Sequence, residues 1–329
     1  MTAKKLPTDA AVALVQSGVH YKRVELYRAA ASWLHARLRR PALGASDVAA
    51  IRGIHPWRSE WDAWVRLQDL KKGKIPEQEE SDVMARGHIL ELPTLQLLAR
   101  QAELRLYPCT HRPVVVRHPE HHWATCSPDA VALTEGLQTI GIEAKSSTMD
   151  ASWGPSCEIP SPVPQGYEWP CPPYYAVQVY WTMALCGLPW LLVRLGGYYR
   201  LQIYRFQRDP ALEQEILEHA GAWWERHMVR GEEPQVDGSE ACAEWVARTP
   251  EGGLQPPRQA TRTERRLLEE YVQLSRQRRS LDQVLPELRN RIVSLAGPTE
   301  GLQLGKTTIP IIRREGRAPT LRNLEEITS

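Results

Sequence analysis

Apolar and polar residues alternate along the chain with two different periods, and each period predicts one type of secondary structure. Apolar residues at helical spacing predict helices over residues 58–73, 82–104, 174–186 and 210–231. Short apolar and β-branched runs predict strands over residues 112–118, 122–127, 130–133 and 139–144. Two further strands, at 190–195 and 198–206, are predicted to form a hairpin around Gly196 and Gly197. The helix over 82–104 is expected to bend near Pro93.

Weaker signals complete the predicted order of elements. The segment LGASDVAAIRG, residues 43–53, predicts a short helix with Ser46 as its N-cap and Gly53 as its stop. Residues 1–30 are predicted to be helical and peripheral. Proline and glycine predict a loop over residues 155–173 and a linker over residues 231–262.

The region after Arg262 is predicted to be a long helix with a regular leucine repeat. The leucines recur at heptad spacing, at Leu267, Leu274, Leu281, Leu288 and Leu295. Most companion positions are also apolar, which predicts a coiled-coil seam. Pro286 interrupts the repeat, so a hairpin of two helices is an equal alternative. The seam indicates a contact with a second copy or a partner, and an intramolecular helix pair is the alternative. The arginines of this region are interleaved with acidic residues, which indicates a solvated face.

The composition is that of a soluble globular protein. Of 329 residues, 42% are apolar and 24% are charged, and the net charge is +2. Binding to nucleic acid would therefore need a local basic groove. The six cysteines form no CxxC pair, so we expect no disulfide framework and no zinc site, but reduced thiols in the cytoplasm. The N-terminal segment lacks an apolar signal core, and the longest apolar run is broken by polar residues and proline, so no membrane span is expected.

The segment TIGIEAK, residues 139–145, carries the main chemical signal. Most basic residues of the chain are arginines, so a lysine inside a strand needs a reason. In a strand, Glu143 and Lys145 share one face, and the alternate residues form an apolar face. If the hairpin turns at Gly136, Asp129 lies opposite Glu143 on that same face.

Asp129 and Glu143 would then bring two carboxylates together. Such a pair repels, and one carboxyl would stay protonated unless a cation joined them. Mg²⁺ fits, because it binds a few carboxylate oxygens and keeps several waters. The metal would polarise a phosphodiester and activate water, and Lys145 could orient or deprotonate that water or neutralise charge on phosphorus. An ordinary surface ladder of charge pairs between strands is the alternative.

Two more polar residues are candidates for the same site. Glu91 lies on the predicted helix before the sheet, and by itself it would be a solvated helix glutamate. Gln178 lies within an apolar predicted helix, where a buried amide needs hydrogen-bond partners. Both a satisfied core residue and a site residue remain open for Gln178.

Five motifs occur in one order along the chain: LGASDVAAIRG, RGHILE, CSPDA, GIEAK and YYAVQVYWTMAL. Together they resemble the phage-type alkaline exonucleases, the lambda exonuclease and YqaJ-like branch of the PD-(D/E)XK nucleases, over about residues 33–228. The resemblance implies an α/β fold, in which a restriction-endonuclease-like core has a central mixed sheet flanked by helices. With the C-terminal coiled-coil-like signal, it divides the chain into an N-terminal helical segment 1–30, a nuclease core 31–230, a linker 231–262 and a C-terminal helical extension and tail 263–329.

The resemblance also implies a function, a cofactor and a set of metal ligands. The function is Mg²⁺-dependent 5′-to-3′ digestion of one strand at double-stranded DNA ends during phage-type recombination, with Mn²⁺ as an alternative metal. By motif, Asp129 and Glu143 match metal ligands, and Ala144 would offer its carbonyl. Glu91 matches a helix glutamate that helps to hold metal. Hydrolysis would use two metals.

The remaining site residues follow from the same motifs. Lys145 matches the lysine that activates water, and Gln178 matches the glutamine that supports it. Ser46 matches a serine at a helix start, where a 5′-phosphate can bind N–H groups and the helix dipole. An arginine shortly before that serine usually joins it, and Arg39 fits best, with two neighbouring arginines as alternatives.

The chain departs from the family pattern in two places. Ala130 replaces the usual glycine after the aspartate, and Ser146 and Ser147 replace the usual cysteine or proline after the lysine. The family implies duplex DNA ends as substrate, a single-strand annealing protein as partner, and a homo-oligomer such as a trimer ring.

Other interpretations stay open. Aromatic residues around the proline-rich segment, Trp153, Tyr167 and Trp169, could guide a DNA strand or could pack as a surface loop. An endonuclease of the same superfamily is one rival function. A CRISPR-adaptation nuclease is disfavoured, because it would need a cluster of cysteines near the C-terminus, where Cys242 stands alone. A DNA-binding or assembly module without activity is a further rival, against which the intact core residues argue.

Overall fold

A computed structural model describes most of the chain. It covers residues 13–14, 16–19, 24–26, 41–74, 81–109, 114–148, 151–197, 200–248, 256–304, 307–313 and 317–322. The chain divides into two compact units, Met1–Arg248 and Thr249–Ser329. Within the described ranges, no helix is both long enough and apolar enough to cross a membrane.

The first unit is built around a mixed sheet. Its described strands are β1 (Val24–Leu26), β2 (Arg105–Pro108), β3 (Val114–Arg117), β4 (Thr125–Cys126), β5 (Ala130–Leu133), β6 (Thr139–Ser147), β7 (Cys157–Ile159), β8 (Trp190–Gly196) and β9 (Arg200–Phe206). Six of them form the central sheet, in the order β2-β5-β6-β8-β9-β7. The pairs β6–β8 and β7–β9 are parallel and the other neighbours are antiparallel. Strands β1, β3 and β4 form a smaller sheet.

Helices lie on the sheet and around it. The described helices of this unit are α1 (Ala45–Ile51), α2 (Glu60–Lys71), α3 (Asp82–Gln101), α4 (Pro173–Cys186), α5 (Pro210–Trp224) and α6 (Glu240–Val246), and a π-helical turn, Glu225–Val229, follows α5. The predicted long helices and central strands are thereby confirmed. The α/β fold class, a central mixed sheet flanked by helices, is confirmed too.

The central sheet has two apolar faces, and β6 contributes to both the packing and the chemistry. Ile142 and Ala144 pack with Leu95 and Leu98 of α3 in one hydrophobic cluster. Residues of the neighbouring strands that face the other way pack with Trp181 of α4 in a second, larger cluster. Because side chains alternate along β6, this packing leaves its polar residues on the face toward α4.

Helix α4 is fixed by its ends and by one tryptophan. It begins with Pro173, a residue favoured in the first turn, and ends before Gly187, whose φ of 73° is left-handed. Trp181 is fully buried, and its indole N–H donates to the carbonyl of Thr125 at 2.9 Å. These contacts hold Gln178, one turn earlier on α4, against the sheet.

Several expectations are corrected near the edges of the sheets. Residues 24–26, inside the segment predicted to be helical, form β1 and pair with β3. Residues 157–159, inside the predicted proline-rich loop, form β7 and pair with β9. Strand β2 was not predicted, because its sequence RLYP is short and ends in proline. All three are edge strands whose pairing partners lie far away in sequence, so local pattern does not reveal them.

Part of the predicted linker is packed. Residues 240–246 form α6, Cys242 is buried, and Trp245 lies edge-on to Trp64 of α2 at a centroid distance of 4.6 Å. Aromatic packing of this kind adds to the burial of apolar surface. Residues 231–248 therefore belong to the first unit.

The second unit contains one long helix and a small sheet. Helix α7 (Arg262–Ala296) is continuous through Pro286, so the predicted alternative of a helical hairpin is wrong. Strands β10 (Gly301–Leu304), β11 (Thr307–Ile312) and β12 (Thr320–Leu321) form an antiparallel sheet that was not predicted.

Candidate active site

The β5–β6 hairpin brings Asp129 beside Glu143. Ala130 pairs with Ile142 in the antiparallel ladder. This is the register predicted from a turn at Gly136, and the register prediction is therefore confirmed. Asp129, one residue before Ala130, and Glu143, one residue after Ile142, lie at the same end of the hairpin.

Backbone hydrogen bonds hold Asp129 in place. Its Oδ2 accepts from the N–H of Ala144 at 2.8 Å, and its backbone carbonyl accepts from the N–H of Cys109 at 2.9 Å. A carboxylate that accepts from a backbone N–H is held in a defined orientation. The carboxyl group is therefore tied directly to the backbone of β6.

Glu143 and Lys145 form an ion pair on the face of β6 toward α4. Lys145 Nζ lies 2.5 Å from Glu143 Oε1, and the side chains are only 23% and 12% exposed. The ring of Tyr175, in the first turn of α4, lies 5.1 Å from the same Nζ. A surface ladder of charge pairs would keep both side chains in water, so that alternative does not describe this pair.

A cleft of about 680 Å³ opens at this end of the sheet. Six predicted site residues line it: Ser46, Glu91, Asp129, Glu143, Lys145 and Gln178. They come from α1, α3, α4, β6 and the turn before β5, so the fold gathers them from distant parts of the chain. Arg39 lies outside the described residues.

The acidic groups of the cleft repel one another. Burial raises the pKa of Asp129 well above its usual value, and the carboxylates of Glu143 and Glu91 raise it further, against the opposing effects of Lys145 and the Ala144 N–H. Burial and then Glu143 also raise the pKa of Glu91. The cleft therefore holds more potential negative charge than one lysine neutralises.

Lys145 is held as an ammonium by its acidic neighbours. Burial alone would lower the pKa of Lys145, but the carboxylates of Glu143 and Asp129 outweigh burial, so that its pKa lies above the usual value. The side chain is therefore a proton donor in this arrangement. A cation bound to Glu143 would weaken its ion pair with Lys145.

The residues of the cleft fit a magnesium ion that keeps most of its waters. Within the part of the chain that the structure describes, no group of three or more His, Cys, Asp or Glu side chains could hold a metal as it stands. Mg²⁺, however, is commonly held by one or two carboxylates and keeps its waters. Asp129 and Glu143 supply such a pair, and a divalent cation would relieve the repulsion around Asp129. Glu91 as a third ligand stays a prediction.

The start of α1 forms one wall of the cleft, but not as predicted. The N-cap is Gly44, whose N–H donates to Asp47 Oδ2 at 2.8 Å, so Ser46 lies inside the first turn. The buried Asp47 also pairs with Arg66 at 2.7 Å and with Arg58 at 3.0 Å. Ser46 as N-cap is therefore wrong, because the glycine is capped through the aspartate.

Sequence reasoning missed three residues of this region. His88 lies one turn before Glu91 on α3, and Tyr175 lies one turn before Gln178 on α4, so helical spacing could have indicated both. Cys109 also lines the cleft. Burial and then the Asp129 charge raise the pKa of the Cys109 thiol, which makes it a neutral packing group.

Comparisons with known proteins show which proteins this chain is similar to. Residues 32–189 match the YqaJ-like viral recombinase domain. The uncharacterized protein YqaJ of Bacillus subtilis (strain 168) is 24% identical over 261 residues, which cover 77% of this chain and 75% of that protein. An alkaline exonuclease, LHK-Exo, from Laribacter hongkongensis has a TM-score of 0.46 at 21% identity, over 61% of this chain and 93% of that one. Its complex with dAMP has the same TM-score at 20% identity.

The described fold and cleft define an α/β protein with carboxylates and a lysine gathered at one end of a mixed sheet. The part of the chain that carries most of these residues, 32–189, is similar to the YqaJ-like viral recombinase domain.

Proposed function

We propose that this protein is a metal-dependent deoxyribonuclease that digests one strand from the 5′ end at double-stranded DNA ends. The observation that carries the proposal is the gathering of Asp129, Glu143 and Lys145 in one cleft, with Glu91 and Gln178 in its wall. Carboxylates that need a cation, beside an ammonium, suit a phosphodiester, on which negative charge grows during hydrolysis. The YqaJ-like viral recombinase domain supports a role in DNA recombination.

Asp129 and Glu143 would hold Mg²⁺ or Mn²⁺, with the Ala144 carbonyl and Glu91 as further ligands. A bound metal would polarise the phosphodiester and lower the pKa of water, and a second metal would stabilise the leaving oxygen. The 2.8 Å hydrogen bond from the Ala144 N–H orients the Asp129 carboxyl before any ligand binds. Little rearrangement of Asp129 would then be needed.

Lys145 would act on the attacking water. Its Nζ now contacts Glu143 Oε1 at 2.5 Å, and it could turn to the water or to a phosphoryl oxygen when the Glu143 charge is shared with a cation. Gln178, which is 6% exposed, would support Lys145 and the water through its amide. The ring of Tyr175 keeps the ammonium near this position, because an aromatic face attracts a cation.

Ser46 would bind the 5′-phosphate of the digested strand. The residue lies in the cleft wall, in the first turn of α1, and carries a hydroxyl donor. The family resemblance adds Arg39 as the cation of this subsite. A phosphate subsite beside the metal ligands would set the 5′-to-3′ direction, because the strand end is fixed first.

DNA would be bound through its phosphates, without sequence preference and with affinity that falls as salt rises. The resemblance further implies a ring of subunits, which would keep the enzyme on its substrate. It also implies a single-strand annealing protein, which would receive the strand that digestion exposes. Both belong to the proposal.

A cleavage assay tests the proposal. Linear duplex with and without a 5′-phosphate, and a covalently closed circle, are incubated with Mg²⁺, Mn²⁺ or EDTA, with Lys145→Ala as the control protein. We expect nucleotides to be released from the linear duplex only with a metal, and faster with the 5′-phosphate. Cutting of the circle would indicate an endonuclease instead. Intact substrates under every condition would indicate a binding or assembly module.

A further inference from the structure

Four aromatic rings form a wall of successive contacts that leads from the surface to Lys145. The loop after α1 carries His55 and Trp57, and the first turn of α4 carries Tyr174 and Tyr175. Ring centroids lie 5.8 Å apart for Trp57 and Tyr174, and 5.3 Å apart for His55 and Tyr174. Tyr174 and Tyr175 lie 4.3 Å apart, and Tyr175 reaches to 5.1 Å from Lys145 Nζ.

The outer end of this wall is an exposed indole. Trp57 is 64% exposed, whereas the other tryptophans that the structure describes are buried or partly buried. The backbone N–H of Trp57 donates to His55 Nδ1 at 3.2 Å, so the two residues contact each other within the loop that carries both rings. Trp57 is thus part of a cluster of rings and not an isolated surface residue, and an exposed cluster of this kind beside a cleft indicates a binding surface.

The chemistry of the wall suits nucleobases. Every base has a flat π face, so aromatic side chains stack on unpaired bases without sequence preference. Burial and then the Arg58 guanidinium lower the pKa of His55, so its ring is uncharged at neutral pH. An uncharged ring stacks on a base without adding a charge to the wall.

We propose that His55, Trp57, Tyr174 and Tyr175 form a stacking platform for unpaired bases of the DNA strand that enters the cleft. The proposal rests on the proposed function for the identity of the strand. An enzyme that digests one strand of a duplex has to separate that strand from its complement near the cut. The platform would hold the separated bases while their phosphates reach Asp129, Glu143 and Lys145.

Binding measurements on the full-length protein test the platform without cleavage. In EDTA, the fluorescence anisotropy of a labelled oligothymidylate and of a labelled blunt duplex is followed for wild type, Trp57→Ala and Trp57→Phe. We expect Trp57→Ala to weaken binding of the single strand about tenfold and Trp57→Phe to stay near wild type. Val236→Ala is the control, because Val236 is 76% exposed and lies outside the platform.

The outcomes separate the platform from the nuclease proposal. Equal affinities of Trp57→Ala and wild type for the single strand would overturn the platform, even if wild type cleaves DNA. Weaker binding that Trp57→Phe restores would support the platform, even if no cleavage is found. A loss of binding that Trp57→Phe does not restore would also overturn the platform, because a phenyl ring at this position should still stack on a base.

A separate observation concerns α7, in which no residue is buried. The leucines of the heptad repeat are 47–89% exposed: Leu267 55%, Leu274 56%, Leu281 57%, Leu288 47% and Leu295 89%. Pro286 lies beside Leu285 but off this stripe, so the stripe runs past it. Such an apolar stripe on a helix needs a partner, and another helix with the same pattern fits it.

Charges on α7 distinguish the two orientations that a second copy could take. The companion line of the seam contains Glu264, Tyr271, Arg278, Leu285 and Ile292. In a parallel, in-register pair, Glu264 would face the same residue of the second copy, and Arg278 would do so as well. Like charges facing each other within a seam are destabilising.

An antiparallel pair removes both conflicts. With the helix centres aligned, Leu274 faces Leu285 of the second copy, and Tyr271 faces Leu288. Glu270 then lies near Arg291 of the second copy. We propose that α7 pairs with a second copy of itself in this antiparallel orientation.

The oligomeric state of the full-length protein tests this pairing. Light scattering should give a dimer, or a multiple of it, that dissociates when Leu274 and Leu281 are both replaced by glutamate. Val272→Glu is the matched control, because Val272 lies on α7 off the seam and is 44% exposed. An unchanged mass of the double variant would overturn the pairing.

Cross-linking tests the orientation. Under mild oxidation, Leu274→Cys alone should not cross-link through the new thiol, whereas Leu274→Cys with Leu285→Cys should form a covalent dimer. Wild type gives the background from the native thiols, most of which are buried. Cross-linking of Leu274→Cys alone, at the level of the double variant, would indicate a parallel pair and overturn the proposal.

Discussion

Strand β6 and helix α7 place their side chains in opposite environments. Glu143 and Lys145 of β6 are charged, yet they are only 12% and 23% exposed. The seam leucines of α7 are apolar, yet about half or more of each side chain is exposed. Folding alone favours the reverse in both cases, because charges lose hydration when buried and apolar groups gain from burial.

Each departure therefore indicates a component that the single chain does not supply. At β6 the surplus is negative charge, which a divalent cation would balance. At α7 the surplus is apolar surface, which a second helix would cover. We therefore expect the first unit to bind a ligand in its cleft and the second unit to pair through the exposed stripe of α7.

The largest expected effect comes from removing the ammonium of β6. Lys145→Ala should lower the rate of DNA cleavage about a thousandfold, because a positioned donor at the growing charge is lost. Rates on linear duplex at saturating Mg²⁺ measure this. Lys145→Arg should not restore the rate, because the planar guanidinium cannot take the same position. Wild-type rates in Lys145→Ala would contradict the role assigned to Lys145.

A smaller effect is expected on stability from Asp129. Its folded-state pKa is raised, so the folded protein binds more protons than the unfolded chain between the usual and the raised value. Stability from this group is full below the usual pKa and is lost as the pH rises through the raised one. We therefore expect the metal-free protein to melt at a lower temperature at pH 7 than at pH 5.

Asp129→Asn should remove this loss. Without metal at pH 7, the variant should melt about 3 °C above wild type, since repulsion with Glu143 and Glu91 is gone. Mg²⁺ should raise the melting temperature of wild type and have little effect on the variant, which should not cleave DNA. A variant that melts below wild type without metal would show that the Asp129 hydrogen bonds outweigh the repulsion.

The chemistry at β6 could be predicted from sequence because it depends on local pattern. The turn at Gly136 and strict alternation fix which residues of the hairpin face each other, and the observed register agrees. The motif order then adds Glu91 and Gln178, which the fold brings into the same cleft. Cys109 was not predicted, because its place beside Asp129 depends on tertiary packing. Tyr175 was also missed, although it lies one turn before Gln178 and helical spacing could have indicated it.

Other failures have equally specific causes. At the start of α1, a serine and an aspartate stand side by side, and either could have closed the first turn; the aspartate does so through Gly44. In α7, Pro286 left a break open as an alternative, but the helix continues through it. Strand β7 was hidden among prolines and is recognisable only through its pairing with β9.

The smallest expected effect on the site comes from removing α7. The two units are compact by themselves, and all described residues that line the cleft belong to the first. A chain that ends at Arg248 should therefore melt cooperatively, near the temperature at which the first unit melts in the full-length protein. It should also cleave a short duplex at close to the rate of the full-length protein.

Circular dichroism melting and single-turnover cleavage measure this, with the full-length protein as the control. The truncated chain should differ only in its oligomeric state, because it lacks the seam through which α7 is proposed to pair. If truncation instead unfolds the first unit or abolishes single-turnover cleavage, then α7 contributes to the site. The contrast between a ligand-binding first unit and a pairing helix in the second would then have to be replaced by one shared, cooperative unit.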